Sequence, residues 1–246
     1  MDQLTVSDRD TAYVWVGRDT GGRPGPAVRL LRRAGAALLG RAEAEVVLAH
    51  GPAGNPVVRI AGPANAGPVE LPVSVSRAGR IVVVAARAAG PVGVDVEEVR
   101  PLPALALARR WFSPAELAWL AGRGEAGRAA DFLRLWTAKE AVGKALGLGL
   151  RGGGLLREMP PPVGPGLPLR QVPGGEPLRV GHPELGGGLV LAVAVRAEED
   201  VDVDVEVVQR AGHGVAAERS APVERTSLPV VVRGNRSSMR STRGRL

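Results

Sequence analysis

Two lysines lie five residues apart in the stretch WTAKEAVGKALGLG, and they are the only lysines of the chain. If this stretch is helical, Trp136, Glu140 and Lys144 fall on one face at successive i+4 positions, with Lys139 turned by about 100° from Glu140. An ordinary helix pair of Glu140 and Lys144, worth about 0.3–0.5 kcal/mol, is the simpler explanation of that spacing. Lysine nevertheless offers a compact, rotatable ammonium that suits a single phosphate oxygen better than the planar fork of arginine. Lys139 and Lys144 are therefore candidate phosphate contacts.

A second candidate cluster is acidic and lies upstream in GVDVEEV. Strand alternation puts Asp95 and Glu97 on one face of this segment. A strand with one solvated face explains the pattern equally simply. Hard carboxylate oxygens at this spacing can instead hold Mg²⁺, which takes few protein ligands and completes its shell with water and phosphate. With Glu140, the sequence offers three carboxylates for a metal ion.

A third acid, in FSPAE, has a good local explanation. Ser113 as the N-cap, Pro114 at the first helical position and Glu116 at N3 form a capping box. This structure explains Glu116 without any chemistry, so a catalytic role needs evidence from outside the stretch. The three histidines, His50, His182 and His213, have no ligand spacing and are predicted to be incidental.

The elements that position these residues divide into two groups. In residues 1–99 we predict one helix over a small, mainly antiparallel sheet. The helix is predicted in GPAVRLLRRAGAALLGRAEAEV, and the strands in TAYVWVG, NPVVRIAG, ELPVSVS, RIVVVAARA and PVGVDVEEV. We expect the last of these strands to pair with its predecessor across AGP.

In residues 100–208 three helices precede the strands. The helices are predicted in LPALALARRWF, SPAELAWLAG and EAGRAADFLRLWTAKEAVGKALG, and the strands near PLRVG, GLVLAVAV and VDVDVEVV. The fold class is therefore predicted as α+β, with two similar halves and a site at their junction. Residues 209–246 are predicted to be a disordered basic tail.

The amino-acid composition of the chain excludes several classes of protein. The chain has 246 residues and no cysteine, which excludes disulfides, thiolate metal sites and cysteine nucleophiles. Its net charge is +7, but five arginines of the tail account for most of that, which argues against a nucleic-acid partner. The apolar runs are too short to span a bilayer, and the start does not look like a signal peptide. We expect a cytoplasmic protein without a membrane partner.

Taken in order, GVDVE, WFSPAE and WTAKEAVGKALGLG resemble the signature of the 4′-phosphopantetheinyl transferases. The last stretch matches the pattern W-x-x-K-E-A-x-x-K-x-x-G-x-G at every defined position. The two-half organisation is similar to the larger, pseudo-twofold monomeric type of that family. The resemblance implies Mg²⁺-dependent transfer of the phosphopantetheine arm of coenzyme A to a serine of an acyl or peptidyl carrier protein, with release of adenosine 3′,5′-bisphosphate.

The resemblance also implies roles for the acids. Asp95, Glu97 and Glu140 would bind Mg²⁺, which makes Glu140 part of the catalytic group. Glu116 would act as the base for the carrier serine. Two other functions stay open: a module that binds coenzyme A or carrier protein with little or no turnover, and a generic nucleotide-dependent Mg²⁺ hydrolase.

The cations and the nearby polar residues follow from the same resemblance. Lys139 and Lys144 would contact the phosphates of coenzyme A, and Lys144 would also stabilise the leaving bisphosphate. The family usually has a serine and a histidine at the end of the strand before the acidic one. Here Ser76 is followed by Arg77, and the resemblance implies that both bind coenzyme A, with Arg77 in place of the histidine at a phosphate. Asn55 stands where a basic residue is more common.

Overall fold

The computed structural model of the protein describes five ranges of the chain, namely residues 10–51, 54–62, 67–150, 154–164 and 166–208. The predicted basic tail at 209–246 lies outside the described residues. Within the described ranges there are ten strands in two sheets and four α-helices, so the α+β class is confirmed. None of the described helices combines the length and the apolar character that crossing a membrane requires.

The first sheet has six strands and is built mainly from the first half of the chain. Its strands are β1 (Thr11–Arg18), β2 (Val47–His50), β3 (Pro56–Ile60), β4 (Val69–Ala78), β5 (Ile81–Ala86) and β10 (Asp202–Val208). They are ordered β10-β1-β5-β4-β3-β2, and every pair is antiparallel except the parallel pair of β1 and β10.

Helix α1 (Pro26–Leu39) covers the outer face of the first sheet. It starts on a proline, whose missing N–H costs nothing at that position, and ends at Gly40 in the left-handed conformation. Leu30 and Leu31 of the helix pack with Trp15 of β1 in one buried cluster. The predicted helix-on-sheet arrangement of the first half is therefore present.

The second sheet has four strands and carries the acidic segment. Its strands are β6 (Val92–Glu98), β7 (Arg170–Gln171), β8 (Leu178–Gly181) and β9 (Leu189–Arg196), in the order β6-β9-β8-β7. The helices α2 (Ala104–Trp111), α3 (Pro114–Ala121) and α4 (Glu125–Ala145) share a buried cluster with one face of this sheet. The other face packs on the first sheet through the valines of β1, β5, β6 and β9.

The predicted pairing of β6 with β5 is wrong. Strand β6 pairs with β9, in the antiparallel sense, and both edges of β5 are occupied by β1 and β4. Residues 92–96 of β6 are buried, which fits a strand covered by the first sheet on one side and by α4 on the other. Strand β10, from the far end of the described chain, completes the first sheet. The sheets therefore exchange strands across the predicted boundary between residues 99 and 100.

Candidate active site

A close approach of α4 to β6 creates the site. Gly93 lies where a Cβ atom would stand 1.9 Å from the carbonyl oxygen of Ala141 and 2.6 Å from the nitrogen of Ala145. These are backbone atoms, so no rotation of a side chain could make room. Glycine is therefore required at this position of GVDVE, because only its absent side chain lets the lysine-bearing helix lie directly against the acidic strand.

Asp95 is the acid that this approach brings closest to the helix. Its carboxylate is buried, and its Oδ1 accepts hydrogen bonds from Lys144 Nζ at 2.8 Å and from the Ser76 hydroxyl at 2.7 Å. Burial raises the pKa of Asp95, against the lowering effect of the Lys144 charge and of the two hydrogen bonds. Asp95 and Lys144, singled out separately in the sequence, are thus direct partners.

The other two predicted ligands stand in the same electrostatic neighbourhood. Glu97 accepts a hydrogen bond from Arg100 at 2.8 Å and is partly exposed. The pKa of Glu140 is raised first by burial and then by the charges of Asp95 and Glu97, and it is lowered by Lys144. The charges of the two strand acids therefore act on the helix acid, as expected for groups in one neighbourhood of the fold.

These acids are the right type of ligand for a metal ion, but in this structure they are not arranged to bind one. Three carboxylates are a hard-oxygen donor set of the kind that divalent cations prefer. In this arrangement, however, no group of three or more His, Asp or Glu side chains among the described residues is placed to hold one. Glu97 and Asp95 are instead paired with the cations Arg100 and Lys144. The Mg²⁺ site remains a prediction that requires these cations to be displaced.

The two lysines have very different surroundings. Lys144 retains 28% of its side-chain exposure, and its Nζ also donates to the carbonyl oxygen of Val94 at 3.0 Å. The Lys139 side chain is fully enclosed at 0% exposure. Its Nζ pairs with Glu116 Oε1 at 2.7 Å, donates to the carbonyl oxygen of Arg157 at 2.5 Å, and lies 5.0 Å from the ring centre of Phe112.

Burial lowers the pKa of Lys139, and its hydrogen bond with Glu116 opposes that shift. The predicted phosphate contact of Lys139 would require this pair to open. Lys144, in contrast, is partly exposed beside the acids. Of the two lysines, only Lys144 is exposed enough to reach a phosphate by exchanging its bond to Asp95.

Glu116 forms the capping box that its sequence predicts. Its carboxylate accepts from the backbone N–H of Ser113 at 2.8 Å, and its own N–H donates to the Ser113 hydroxyl. It also accepts from the N–H of Met159 at 2.9 Å, and only 3% of its side chain is exposed. The predicted role as a base stays a prediction, and it would require this enclosed carboxylate to become accessible.

Ser76 and Arg77 point in opposite directions because they are adjacent on β4. Ser76 is buried against β6, while Arg77 is exposed. Their predicted contacts with coenzyme A stay predictions. Asn55 is exposed in the turn that joins β2 to β3.

Burial lowers the pKa of His182 to about 4, and its ring bonds the carbonyl oxygen of Arg134, so it is not part of the acid cluster.

Sequence reasoning missed Ser74 and Arg100. The Ser74 hydroxyl accepts the N–H of Val94 at 3.0 Å, and Arg100 covers Glu97. The signal for Ser74 was present, because two serines alternate with valines in the segment VSVS of β4. Arg100 also lines a cavity of about 730 Å³ between the 99–103 segment, α2 and the start of α4. Two further arginines, Arg109 and Arg128, line this cavity, and Arg100 links it to Glu97.

Comparison with known proteins gives matches to this part of the chain. Residues 91–163 match the model of the 4′-phosphopantetheinyl transferase superfamily. A putative 4′-phosphopantetheinyl transferase of Synechocystis is 38% identical over 81 residues, which are 32% of this chain and 33% of that protein. The 4′-phosphopantetheinyl transferases of Aneurinibacillus migulanus and Bacillus pumilus are 34% and 42% identical over 68 and 60 residues. These two matches cover 28% and 24% of this chain, and 28% and 25% of the relatives, so the similarity spans a third or less of each relative.

Proposed function

From the match of residues 91–163 to the 4′-phosphopantetheinyl transferase superfamily, we propose that the protein moves the phosphopantetheine arm of coenzyme A to a serine of a carrier protein. The observation that carries the proposal is the meeting of β6 and α4 inside the matched segment. There Asp95 pairs with Lys144 and shares one electrostatic neighbourhood with Glu97 and Glu140. Acids for a metal ion and a cation for phosphate are the groups that this transfer needs.

The proposed reaction breaks one phosphoanhydride bond. The serine oxygen bonds to the phosphorus that carries the pantetheine arm, and the bond from that phosphorus to adenosine 3′,5′-bisphosphate breaks. The serine gives its proton to a base, and the bisphosphate leaves with the electron pair. A divalent ion such as Mg²⁺, held by Asp95, Glu97 and Glu140, would neutralise the phosphates that otherwise repel the serine oxygen.

The residues of the chain have separate tasks in this scheme. Lys144 extends from a rigid helix, so its ammonium meets the charge that develops on the leaving bisphosphate with little reorganisation. Its present bond to Asp95 neutralises that acid when no phosphate is bound. The proton of the serine is assigned to Glu116 by resemblance, and the phosphate contact of Lys139 has the same basis. Both assignments require the enclosed Glu116–Lys139 pair to be released.

The finer features of the proposal concern partners and assembly. We propose a cytoplasmic monomer of two similar halves that uses coenzyme A as co-substrate. Its partners would be acyl or peptidyl carrier domains of peptide, polyketide or fatty-acid synthases, with no nucleic acid and no membrane. The arginine-lined cavity beside Glu97 supports an acidic protein partner, because opposite charges speed and orient such encounters.

A second candidate is a module that binds coenzyme A or a carrier protein with little turnover. Two departures favour it: Arg77 in place of a histidine, and Asn55 in place of a basic residue. The bond of Lys144 to Asp95 also fits a resting site. The three acids and Lys144 would be hard to explain in such a module, since binding alone does not need them together.

Intact mass spectrometry of apo-carrier proteins tests the proposal. The protein is incubated with coenzyme A, Mg²⁺ and a panel of acyl and peptidyl apo-carriers. We expect at least one carrier to gain the mass of one phosphopantetheine, and we expect Glu140→Ala to abolish that gain. Saturable binding of coenzyme A without any mass gain would favour the module, and bisphosphate release without a carrier would favour a hydrolase.

A further inference from the structure

The cavity between the 99–103 segment, α2 and the start of α4 is not lined by any of the proposed site residues. Three arginines line it, Arg100, Arg109 and Arg128, together with one acid, Glu125. All its other lining residues are apolar. This arginine cavity therefore combines apolar walls with an excess of positive charge.

Two of the three arginines have no carboxylate partner among the described residues. Arg100 pairs with Glu97 at 2.8 Å. Arg128 donates to the carbonyl oxygen of Arg123 at 2.8 Å, a bond that leaves its charge uncompensated. Arg109 forms neither a hydrogen bond nor an ion pair with any residue of the described ranges. Two guanidinium charges are therefore available to acidic groups from outside the chain.

A structural reason exists for Arg109, but it does not account for the arrangement. Arg109 lies in the last turn of α2, where a cation interacts favourably with the helix dipole. Arg110 lies in the same turn and meets the same need, but it does not line the cavity. The dipole of α2 also gives no reason for a second unpaired arginine, Arg128 of α4, at the same place.

The walls of the arginine cavity offer apolar contact area next to these charges. Val99 is 43% exposed, and Leu102 and Leu105 are only partly buried. Apolar surface beside arginines is typical of protein–protein interfaces. A small acidic molecule would use the two charges but would leave much of this apolar surface in water. A protein surface that carries both apolar and acidic side chains satisfies both features.

Arg100 connects the arginine cavity with the candidate active site. It lines the cavity, and it donates to the carboxylate of Glu97 at 2.8 Å and to the carbonyl oxygen of Glu98 at 3.1 Å. Glu97 is one of the three acids of the site. A carrier domain that brings its serine to these acids can therefore cover the cavity at the same time.

We propose that the arginine cavity docks an acidic surface of the carrier domain and that Arg109 and Arg128 make the protein select carriers with acids beside the modified serine. The proposal rests on the proposed function and adds a basis for choosing among carriers. Charge complementarity also disfavours a second copy of the chain as the occupant, because each copy has a net charge of +7.

The experiment compares Arg109→Gln with Arg110→Gln, which removes the same charge from the same turn of α2. The probes are an apo-acyl carrier protein with acids beside its serine and a variant of it in which those acids are changed to amides. Biolayer interferometry with the full chain gives dissociation constants without requiring transfer, and steady-state kinetics give KM for each carrier and for coenzyme A.

We expect Arg109→Gln to weaken binding of the acidic carrier and to raise its KM, each about fivefold, with a smaller effect at high salt. Adding Arg128→Gln should bring the loss to about tenfold or more. We expect Arg110→Gln to stay within about twofold, and the KM for coenzyme A to stay within about twofold in every variant. The neutralised carrier should bind all variants equally weakly.

Three results would overturn the proposal. Equal losses in Arg109→Gln and Arg110→Gln would indicate a general effect of charge. Equal binding of the acidic and the neutralised carrier would remove the selection, even if both are modified and the proposed function holds. Self-association that Arg109→Gln abolishes, without carrier binding, would assign the cavity to a second copy. If the binding difference is found but no carrier is modified, the docking surface stands and the proposed function fails.

Discussion

Helix α4 carries two lysines, five residues apart, and each pairs with a carboxylate of another element. The two pairs differ in their burial and in the elements that they join. Lys139 and Glu116 are 0% and 3% exposed, whereas Lys144 and Asp95 are 28% and 9% exposed. The first pair joins α4 to the cap of α3 and to the 157–159 segment. The second joins α4 to β6 and has one side open to solvent.

The comparison shows that one sequence motif can contain both a residue that stabilises the fold and a residue that is available for the reaction. In the enclosed pair each charge is satisfied by partners that leave no space for a ligand, so an exchange of partners would be costly. In the open pair Lys144 can leave Asp95 at low cost, because water can replace the lost contact. We expect the open pair to exchange partners readily in the reaction. The enclosed pair maintains the fold and must be released before Glu116 and Lys139 can take their proposed roles.

The largest expected effect follows from breaking the enclosed pair. Lys139→Met leaves the Glu116 carboxylate buried without its cation, and we expect the free energy of unfolding to fall by about 3–5 kcal/mol. Lys144→Met, the matched control, should lower it by about 1 kcal/mol at most, because that pair is partly solvated. Urea unfolding followed by circular dichroism measures both. Similar losses in the two variants would mean that the pairs do not differ as described.

The next effect comes from separating α4 and β6. Gly93→Ala places a methyl group against the backbone of Ala141, so we expect a loss of about 2–3 kcal/mol in stability and a large loss of transfer activity. Gly127→Ala in the same helix is the control, since its new methyl group meets nothing closer than 4.0 Å. That variant should be as stable as the original or more so, by up to about 1 kcal/mol. A harmless Gly93→Ala would refute the close approach.

A smaller effect concerns pH and another enclosed contact of α4. Burial lowers the pKa of His182 to about 4 from 6.5, so between these values the unfolded chain binds a proton that the folded protein does not. Stability should therefore fall as the pH drops from 6.5 towards 4, by about 2 kcal/mol at pH 5. His182→Asn keeps a donor for the carbonyl oxygen of Arg134 and should lose less stability over this range. Equal pH slopes for both proteins would contradict the enclosed position of His182.

The smallest effect on the fold should come from the open pair. Lys144→Arg keeps the charge but replaces a compact ammonium by a planar fork, so kcat should fall about tenfold while the unfolding free energy stays within about 0.5 kcal/mol. Steady-state kinetics with an apo-carrier and thermal unfolding measure the two quantities. Unchanged turnover would show that the reaction needs only a positive charge at this position.

Local patterns predicted most of the elements but not how they pair. All four helices and eight of the described strands correspond to periodic segments of the sequence, while the short strands β2 and β7 carry too little pattern to be recognised. The partner of β6 was predicted wrongly because periodicity identifies a strand without indicating its neighbour. That neighbour, β9, begins at Leu189, about ninety residues later in the chain.

The candidate site shows the same limit at the level of side chains. The family resemblance identified Asp95, Glu97 and Glu140, which influence one another in the structure. It could not indicate that Lys139 is enclosed, because the residues around it lie outside α4, with Phe112 and Glu116 before the helix and Arg157 after it. Ser74 was missed for a similar reason, since its partner lies on a strand of the other sheet.

The most direct test of the central claim is diffraction from crystals grown with Mn²⁺ and coenzyme A. Mn²⁺ scatters anomalously and prefers the same oxygen ligands as Mg²⁺. We predict one anomalous peak between the carboxylates of Asp95, Glu97 and Glu140, with Lys144 turned from Asp95 to a phosphate. A peak at any other place, or coenzyme A bound with Lys144 still on Asp95 and no metal ion, would contradict the account.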